Sequence, residues 1–587
     1  MAELVWDSRY RLTPADAAPE ENMAATWRRV ATAVGAVECG AAERATCTAA
    51  FNELLEEGRF FPGGRILANA GAPAQGGCFN CFVAGPVRAE SKMMRRTIRE
   101  ATAVMGQGGG IGFDFSDLPP RSAGTGEDPL AVMAALNFAC EQLLGREPRR
   151  GAMLAGLRCD HPDIVDFVDA KRAPGVFTNF NCSVLVTNDF LRAVEQDGQW
   201  RLGQVSGGAN NQGDGSTAII GARELWERII RSAYECAEPG VLFIDRVNAD
   251  NNLHYCERLV ATNPCGEVPL PHHGGCNLGS LNLPRFVVAP FTIQARLDLD
   301  ALTRAARLAV RFLDNVLEVS RYPSPVYRQV MRQSRRIGLG VTGLADMLVM
   351  LGLDYGSGAA RRFAEAMLRQ VTLAAYEASV TLARQRGSFP AFRAGEFLAG
   401  SFSRRLPGGL RHAVGQHGLR NSHLLALAPA GTISLLAGNV SSGIEPIYAL
   451  RQRRRYRPAG ADAVTVDLED YAHHCWRVQH PDEALPTHWR TATTITPADH
   501  LRMQAALQRQ VDNAIAKTVN VPVDCSYATF ADLFDLAIRL DVKGFATFRP
   551  NPARGEVLQA DEGGRDCRIC CYGSGGYAPI GDQPPLP

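Results

Sequence analysis

The chain has 587 residues, 46% of them hydrophobic, which is long enough for one very large core or for several domains. Its 62 lysines and arginines balance 61 aspartates and glutamates at a net charge of +1, so no basic excess favours nucleic-acid binding. The 16 cysteines, an N-terminus without an apolar signal segment and the lack of any apolar run of about 18 residues together predict a cytoplasmic protein with no membrane span.

Apolar residues at helical spacing predict an N-terminal helical region over residues 1–60. From residue 61 to 557, glycine-rich loops and helices alternate with strand-like runs such as "NCSVLVT" (181–187). This alternation predicts an α/β fold with substantial parallel pairing. The stretch 558–587 is rich in Gly, Pro and Asp, and we expect a flexible tail.

The glycine loop "GQGGGIG" (106–112) does not fit a dinucleotide-binding motif. Gly106 and Gly108 would require a third glycine where the chain has Ile111. A plain turn is the favoured interpretation of this loop.

The segment "ATNPCGE" (261–267) places a thiol between an amide and a carboxylate. Asn263, Cys265 and Glu267 alternate, so in extended chain their side chains would share one face, as in a reaction centre. The alternative is that Cys265 and Cys276 are ordinary small buried residues.

The C-terminal stretch carries Cys567, Cys570 and Cys571. A C-x-x-C pair is either half of a zinc site, a redox dithiol or a chance occurrence. The stretch has no histidine and only three cysteines, so a redox dithiol is favoured over zinc and we assign no metal ligand.

"ATNPCGE" together with "GGCNLGSLNL" resembles the radical-cysteine loop of ribonucleotide reductase large subunits. "NPCGE" and the missing N-terminal ATP-cone motif are most similar to the adenosylcobalamin-dependent class. Further segments resemble the family in the same order: CFVAGPV, GQGGGIGFDFS, HPDIVDFVDAKR, EPGVLFIDRVNADNN, RRIGLGVTGLADMLVMLGLDY, LAPAGTISLLAGNVSSGIEPIYA and VKGFATFRPNPARGEVL.

The resemblance implies a ten-stranded α/β barrel, over residues 61–557, with the Cys265 loop threaded through its centre. It implies reduction of ribonucleoside diphosphates to deoxyribonucleotides for DNA precursor synthesis and repair, with adenosylcobalamin as cofactor. In that chemistry Cys265 carries a thiyl radical, Glu267 accepts the 3′-hydroxyl proton and Asn263 orients the ribose.

The resemblance also assigns the redox pair and the partners. Cys276 matches one thiol of the pair; Cys81 matches the other, with Cys78 as the weaker candidate. Cys567 and Cys570, or Cys571 in place of Cys570, would pass electrons from a thioredoxin- or glutaredoxin-like reductant. A deoxynucleotide effector and a homodimer are expected by analogy.

Two sets of binding residues follow from the same resemblance. We expect the effector residues to be Glu90, Lys171 and Arg172. We expect the substrate-binding residues to be Asn80, Cys81, Asn263, Ala430, Gly431, Thr432, Ile433 and Ser434, the last five forming a phosphate loop.

The chain departs from the family pattern at the start of "GRILANAG". Gly64 and Ile66 stand where the family usually has serine and threonine, so one hydroxyl contact to the substrate is not accounted for. Asn80 replaces the common small polar residue before Cys81.

The radical source separates the remaining alternatives. The tyrosyl-radical class relays its radical through two adjacent tyrosines, but no Tyr-Tyr pair occurs here, and Phe545 and Phe548 have no phenolic proton to lose. This favours adenosylcobalamin. The alternatives are a large subunit that needs a separate radical-generating subunit, and a non-catalytic nucleotide-binding homologue; a glycyl-radical enzyme is disfavoured, because the arginine and four-cysteine patterns of that class are missing.

Overall fold

The computed structural model describes residues 1–14, 18–73, 76–144, 152–173, 175–203, 218–456, 464–550 and 558–560. The predicted N-terminal helices are present as α1 (Ala2–Arg9), α2 (Met23–Gly35) and α3 (Ala41–Glu56). Among the described residues, no helix has the length and apolar character needed to span a bilayer.

The helices beyond this region are interspersed with the strands, several following one another directly, and two 3-10 turns lie at Arg121–Ala123 and Leu283–Phe286. The remaining helices are α4 (Gly64–Asn69), α5 (Ser91–Gly106), α6 (Pro129–Leu144), α7 (Ile164–Asp169), α8 (Asn188–Glu195), α9 (Ala222–Cys236), α10 (Ile244–Ala249), α11 (Leu299–Val319), α12 (Pro325–Ser334), α13 (Leu344–Met350), α14 (Gly358–Arg386), α15 (Ala394–Ala399), α16 (Ser401–Arg404), α17 (Gly408–His417), α18 (Gly431–Leu436), α19 (Tyr471–Gln479), α20 (Pro497–Gln508) and α21 (Tyr527–Arg539).

The strands fall into one large mixed sheet and several two- or three-stranded ones. They are β1 (Phe60–Pro62), β2 (Cys81–Val83), β3 (Gly110–Asp114), β4 (Met153–Arg158), β5 (Phe180–Val186), β6 (Gln199–Arg201), β7 (Ile219–Gly221), β8 (Gly240–Phe243), β9 (Ala261–Thr262), β10 (Pro269–Leu270), β11 (Gly275–Asn282), β12 (Val287–Val288), β13 (Arg296–Leu297), β14 (Ile337–Thr342), β15 (Arg451–Tyr456), β16 (Val464–Glu469), β17 (Thr518–Asn520), β18 (Gly544–Phe548) and β19 (Leu558–Ala560).

Ten strands join in the large sheet, in the order β1-β11-β2-β3-β4-β5-β8-β18-β17, with β14 paired to β11. The run from β2 to β8 is parallel, as are β11 with β14 and β17 with β18. The predicted α/β fold with ten strands is confirmed. Two isolated parallel bridges, Leu339 to Leu425 and Leu427 to Ile515, lie between β14 and the chain three residues before β17.

The strands of this sheet are buried because helices cover them. All eight residues of β11 are buried, as expected where a sheet has no solvent-facing side. Helix α11 packs on β11 and on α14, which places the helical layer outside the sheet.

One expectation about the C-terminal stretch is wrong in detail. Leu558–Ala560, expected to begin a flexible tail, forms β19 and pairs antiparallel with Gln452–Arg454 of β15. The free edge of β15 offers backbone donors and acceptors that an extended segment can satisfy.

Candidate active site

The segment that carries Cys265 is a tight hairpin. β9 and β10 pair antiparallel, with Thr262 opposite Pro269, and the Gly266 amide donates to the Asn263 carbonyl at 3.0 Å. Gly266 has φ +91°, a conformation that glycine adopts without strain. Residues 263–267 are therefore not extended, and our expectation that alternation places three side chains on one face is wrong: the Asn-Pro and Cys-Gly steps close a turn instead.

Glycines of β3 make room for this hairpin. A Cβ atom on Gly112 would lie 1.9 Å from the Thr262 carbonyl oxygen, and one on Gly110 would lie 2.9 Å from Pro264 Cδ. Alternate residues of a strand face the same side, so both glycines are on the face that meets the hairpin. Part of the glycine loop that we interpreted as a plain turn is thus a strand that lets the Cys265 hairpin approach closely.

The turn brings Asn263 and Glu267 to one thiol of the neighbouring strand. Asn263 Nδ2 lies 3.2 Å from Cys81 Sγ, and Cys81 Sγ lies 3.7 Å from Glu267 Oε1. The Asn263 Oδ1 atom accepts a hydrogen bond from the Val268 amide at 3.0 Å, which fixes the orientation of the side-chain amide. Glu267 Oε2 is buried without a hydrogen-bond partner among the described residues, so it has an acceptor to offer to a ligand.

Burial changes the acidity of these groups. It raises the pKa of Glu267, although hydrogen bonds from Asn263 and Cys81 act in the opposite direction. Burial, followed by the charge of Glu267, raises the pKa of Cys81 well above its usual value. Burial likewise raises the pKa of Cys276. The protein therefore keeps both thiols protonated and gives Glu267 a stronger affinity for a proton than an exposed glutamate has.

Cys81 and Cys276 are cross-strand neighbours, whereas Cys78 lies elsewhere. Cys81 of β2 is the direct partner of Cys276 of β11. Both belong to one small buried apolar cluster. Cys78 belongs to the main core instead, where its backbone amide donates a hydrogen bond to Ser320 Oγ at 2.9 Å.

Two cavities meet at Cys265. The smaller cavity, of about 120 Å³, is lined by Asn80, Cys81, Asn263, Cys265 and Glu267, and by the segment Ala428–Ile433. The larger cavity, of about 230 Å³, is also lined by Pro264, Cys265 and Gly266. Cys265 is half-buried and lines both cavities.

The expected phosphate loop lies at the junction of these cavities. Ala430 and Ile433 line the smaller cavity, and Gly431 and Thr432 line both. Helix α18 begins at Gly431, so its first backbone N–H groups have no partner within the helix. Ser434 lines only the larger cavity, and its hydroxyl donates to the Gly431 carbonyl at 2.9 Å.

None of the three predicted effector residues lines either of these cavities, although Lys171 contacts Glu238, which lines the larger one. Glu90 is exposed and precedes α5 as its N-cap residue, without a side-chain capping bond. Lys171 pairs with the buried Glu238 at 2.9 Å, and Arg172 pairs with Glu235 at 2.7 Å. Their assignment to effector binding stays a prediction.

The tail thiols Cys567, Cys570 and Cys571 lie outside the described residues. The strand that precedes them, β19, pairs with Gln452–Arg454, and Gln452 and Arg454 line the larger cavity. The chain that leads to the thiols therefore leaves the described structure beside the candidate active site.

Sequence reasoning missed two features of the site. Tyr10 lines the smaller cavity although it lies more than 50 residues before Gly64 in the sequence, and no local motif signals it. The fully buried side chain of Lys517 forms an ion pair with Glu445, and both line the larger cavity. Glu445 belongs to "GIEP" (443–446), part of a segment that resembles the family, and this resemblance was the one sequence feature that could have indicated it.

Comparison with known proteins agrees with this arrangement. The family models described as "Ribonucleotide reductase, barrel domain" and "Ribonucleotide reductase, all-alpha domain" match residues 79–548 and 1–75. The chain belongs to the ribonucleotide reductase family, and the predicted family is confirmed.

Several similar proteins are cobalamin enzymes by name. A vitamin B12-dependent ribonucleoside-diphosphate reductase of Mycobacterium tuberculosis (strain H37Rv) is 36% identical, over 95% of this chain and 78% of the relative. The protein of the same name from strain CDC 1551 is 35% identical, over 95% of this chain and 80% of the relative. A protein of the same name from Thermoplasma acidophilum is 32% identical, over 87% of this chain and 66% of the relative.

Proposed function

We propose that this chain reduces ribonucleoside diphosphates to 2′-deoxyribonucleoside diphosphates, with Cys265 as the radical residue and adenosylcobalamin as cofactor. The observation that carries the proposal is the contact of Cys81 with both Asn263 and Glu267, in a cavity that Cys265 also lines. A thiol, a carboxylate and an amide that converge on one small cavity suit the removal of a ribose hydroxyl. The names of the similar proteins support the diphosphate as substrate.

The first half of the reaction uses the hairpin. The Cys265 thiyl radical takes the hydrogen atom from C3′ of the ribose and becomes a thiol. Glu267 accepts the 3′-hydroxyl proton as general base, for which the raised pKa suits it, because a base works best when its pKa approaches the working pH. Asn263 holds the ribose by its side-chain amide.

The second half uses the two cross-strand thiols. Cys81 and Cys276 give two electrons and two protons: the C2′–OH bond breaks, the hydroxyl leaves as water, and an S–S bond forms between the two cysteines. Cys265 returns a hydrogen atom to C3′ and regains the radical. The balance is one ribonucleotide and two thiols converted to one deoxyribonucleotide, one disulfide and one water.

The phosphates are held by the loop that lies between the two cavities. The first amides of α18 and the Thr432 hydroxyl offer donors where the smaller cavity opens. We infer that Ala430, Gly431, Thr432 and Ile433 bind the diphosphate, and that Ser434 supports the loop through its bond to the Gly431 carbonyl.

The larger cavity fits a bulky cofactor next to Cys265. A Cβ atom on Gly266 or on Gly431 would meet no atom within 4 Å, so both residues leave open space at the cavity wall. Adenosylcobalamin, when bound, supplies a radical by homolysis of its cobalt–carbon bond. Phe545 lines the same cavity and has no phenolic proton, so it provides contact surface and not a radical relay.

The disulfide must be reduced between turnovers. Cys567 lies seven positions after Ala560, and an extended chain covers about 23 Å over that length. We infer that Cys567 and Cys570 (or Cys571) exchange with the Cys81–Cys276 disulfide and then with a thioredoxin- or glutaredoxin-like reductant.

We propose a homodimer regulated by a deoxynucleotide at Glu90, Lys171 and Arg172. We also propose a cytoplasmic location, since none of the described cysteines forms a disulfide.

The test is deoxycytidine diphosphate formation from CDP with dithiothreitol, with and without adenosylcobalamin. We expect turnover only with the cofactor. Cys265→Ser should abolish turnover and leave CDP affinity within about threefold, while Cys39→Ser, which changes an exposed cysteine, should behave as wild type. Turnover restored only by an iron- or manganese-containing partner subunit would contradict the cofactor assignment, and inactivity with every radical source would leave a nucleotide-binding protein.

A further inference from the structure

Two consecutive glycines, Gly63 and Gly64, face two polar side chains that come from distant parts of the chain. A Cβ atom on Gly63 would lie 2.7 Å from Asn80 Oδ1, and one on Gly64 would lie 2.9 Å from the Tyr10 hydroxyl oxygen. Both distances are shorter than real Cβ contacts, so Asn80 and Tyr10 occupy the space that side chains at 63 and 64 would need. All four residues line the smaller cavity.

Tyr10 is held firmly in that position. It follows α1 directly, its amide donates to the Trp6 carbonyl at 2.9 Å, and its side chain is buried with 2% of the residue exposed. Helix α1 packs against α18, the helix that begins with the phosphate loop at Gly431. The phenol is therefore fixed beside Gly64, next to a helix that packs against the phosphate loop.

We propose that Tyr10 is a substrate-binding residue, whose phenolic hydroxyl hydrogen-bonds to an oxygen of the sugar–phosphate part of the nucleotide at the place where Gly64 offers no side chain. A phenolic hydroxyl both donates and accepts, so it can serve a ribose hydroxyl or a phosphate oxygen. This assignment rests on the proposed function, and it accounts for the hydroxyl contact that the glycine at position 64 removes. Asn80, whose Oδ1 atom has no hydrogen-bond partner among the described residues, borders the same space.

The geometry makes Tyr10 and a side chain at position 64 mutually exclusive. A serine at 64 would also meet Tyr10 Cε1 at 3.1 Å, so the ring would have to move. The hydroxyl can therefore come from the N-terminal helix or from α4, but not from both.

The experiment measures equilibrium binding of CDP and of cytidine to the full chain without cofactor, together with KM and kcat of the loaded enzyme. Tyr10→Phe keeps the packing and removes the hydroxyl, so we expect CDP affinity to fall about five- to tenfold with the melting temperature unchanged. If the variant binds both CDP and cytidine more weakly, the hydroxyl contacts the ribose. If it binds only CDP more weakly, the hydroxyl contacts a phosphate. Tyr255→Phe, which removes a hydroxyl bonded to the Ala391 carbonyl, is the control and should bind as wild type.

A rescue pair separates binding from folding. Tyr10→Ala opens the space beside Gly64, and Tyr10→Ala with Gly64→Ser places a hydroxyl there from α4. We expect the double variant to bind CDP more tightly than Tyr10→Ala alone. Unchanged CDP affinity in Tyr10→Phe would overturn the assignment, as would a loss matched by an equal loss in Tyr255→Phe. Because binding is read without turnover, failure of the proposed reaction would be seen separately, as a wild-type chain that binds CDP and does not reduce it.

Discussion

Cys276 of β11 is the direct cross-strand partner of Cys81 of β2. Directly opposed residues of antiparallel strands have Cα atoms about 4.5–5.5 Å apart, within the range that a disulfide spans. The two thiols can therefore be oxidised and reduced without a rearrangement of the sheet. Because Cys81 also contacts Glu267, the pair is connected to the hairpin that carries Cys265.

The cysteine pair should be required for turnover, and Cys78 should not. In Cys81→Ser or Cys276→Ser we expect deoxynucleotide formation to fall to background, because one thiol cannot supply two electrons. Wild-type chain without reductant should lose two titratable thiols per deoxynucleotide formed. Cys78→Ser is the matched control, since Cys78 lies in the main core beside Ser320. A Cys78→Ser variant as inactive as Cys81→Ser would contradict the assignment.

Glu267→Gln should separate catalysis from stability. Loss of the general base should lower kcat by about 10²- to 10⁴-fold. Burial raises the pKa of Glu267 above its ordinary 4.5, so the unfolded chain releases this proton at lower pH than the folded one. Ionisation of Glu267 therefore opposes folding, and stability falls as pH rises through the window above 4.5.

The wild-type rate should for the same reason increase with pH on an acid limb that lies above 4.5, because only the ionised carboxylate acts as a base. We expect the glutamine variant to lack this limb and to melt no lower than wild type at neutral pH. An acid limb at the ordinary glutamate value, or a large drop in melting temperature, would contradict the role given to Glu267.

The turn at Gly266 should matter for catalysis more than for folding. Gly266→Ala places a side chain at φ +91°, which costs about 1 kcal/mol of stability, and shifts the neighbouring Cys265. Gly352→Ala is a matched control, because Gly352 has φ +75° and also faces open space. We expect similar melting temperatures for the two variants, and at least tenfold lower kcat for Gly266→Ala alone. Equal activities would show that the turn does not position the thiol.

The tail thiols should be needed only with a protein reductant. The double variant Cys567→Ser, Cys570→Ser should lose turnover with thioredoxin and keep it with dithiothreitol, which can enter the site directly. Cys571→Ser tests the alternative pairing in the same assay. Full activity of the double variant with thioredoxin would mean that the tail does not carry electrons.

Glu38 should couple the N-terminal helices to the barrel helices in a pH-dependent way. Burial would raise its pKa, but hydrogen bonds from Arg311, Asn315 and Arg386 lower it to about 2. Its contribution to stability is therefore present above the ordinary value of 4.5 and is lost as pH falls towards about 2.

Glu38→Gln should accordingly reduce the free energy of unfolding by about 3 kcal/mol at pH 7, and by much less near pH 3. Glu43→Gln is the control: Glu43 also pairs with Arg311 but is 44% exposed, so its loss should cost less than about 1 kcal/mol. Urea unfolding of both variants at pH 7 and near pH 3 measures these free energies. A pH-independent loss in Glu38→Gln would contradict the electrostatic explanation.

The sequence determined the family, the α/β class and the cysteines of the candidate site, because these depend on residue types in a fixed order. "NPCGE" contains the turn formers and the chemical groups together, so Asn263, Cys265 and Glu267 could be singled out without a structure. The same local information led to the wrong backbone: alternation suggested an extended segment, while the proline, the glycine and pairing of β9 with β10 produce a turn.

Only the tertiary structure decided which distant residues meet. The register of β2 against β11 selects Cys81 over Cys78 as the neighbour of Cys276, since a strand register depends on packing of the whole sheet. The need for glycine at positions 110 and 112 becomes clear only in the structure, where the Cys265 hairpin lies against β3 and leaves no space for a Cβ atom. Tyr10 reaches Gly64 through the packing of α1 on α18, a contact between segments far apart in the chain, for which no periodicity or local motif exists in the sequence.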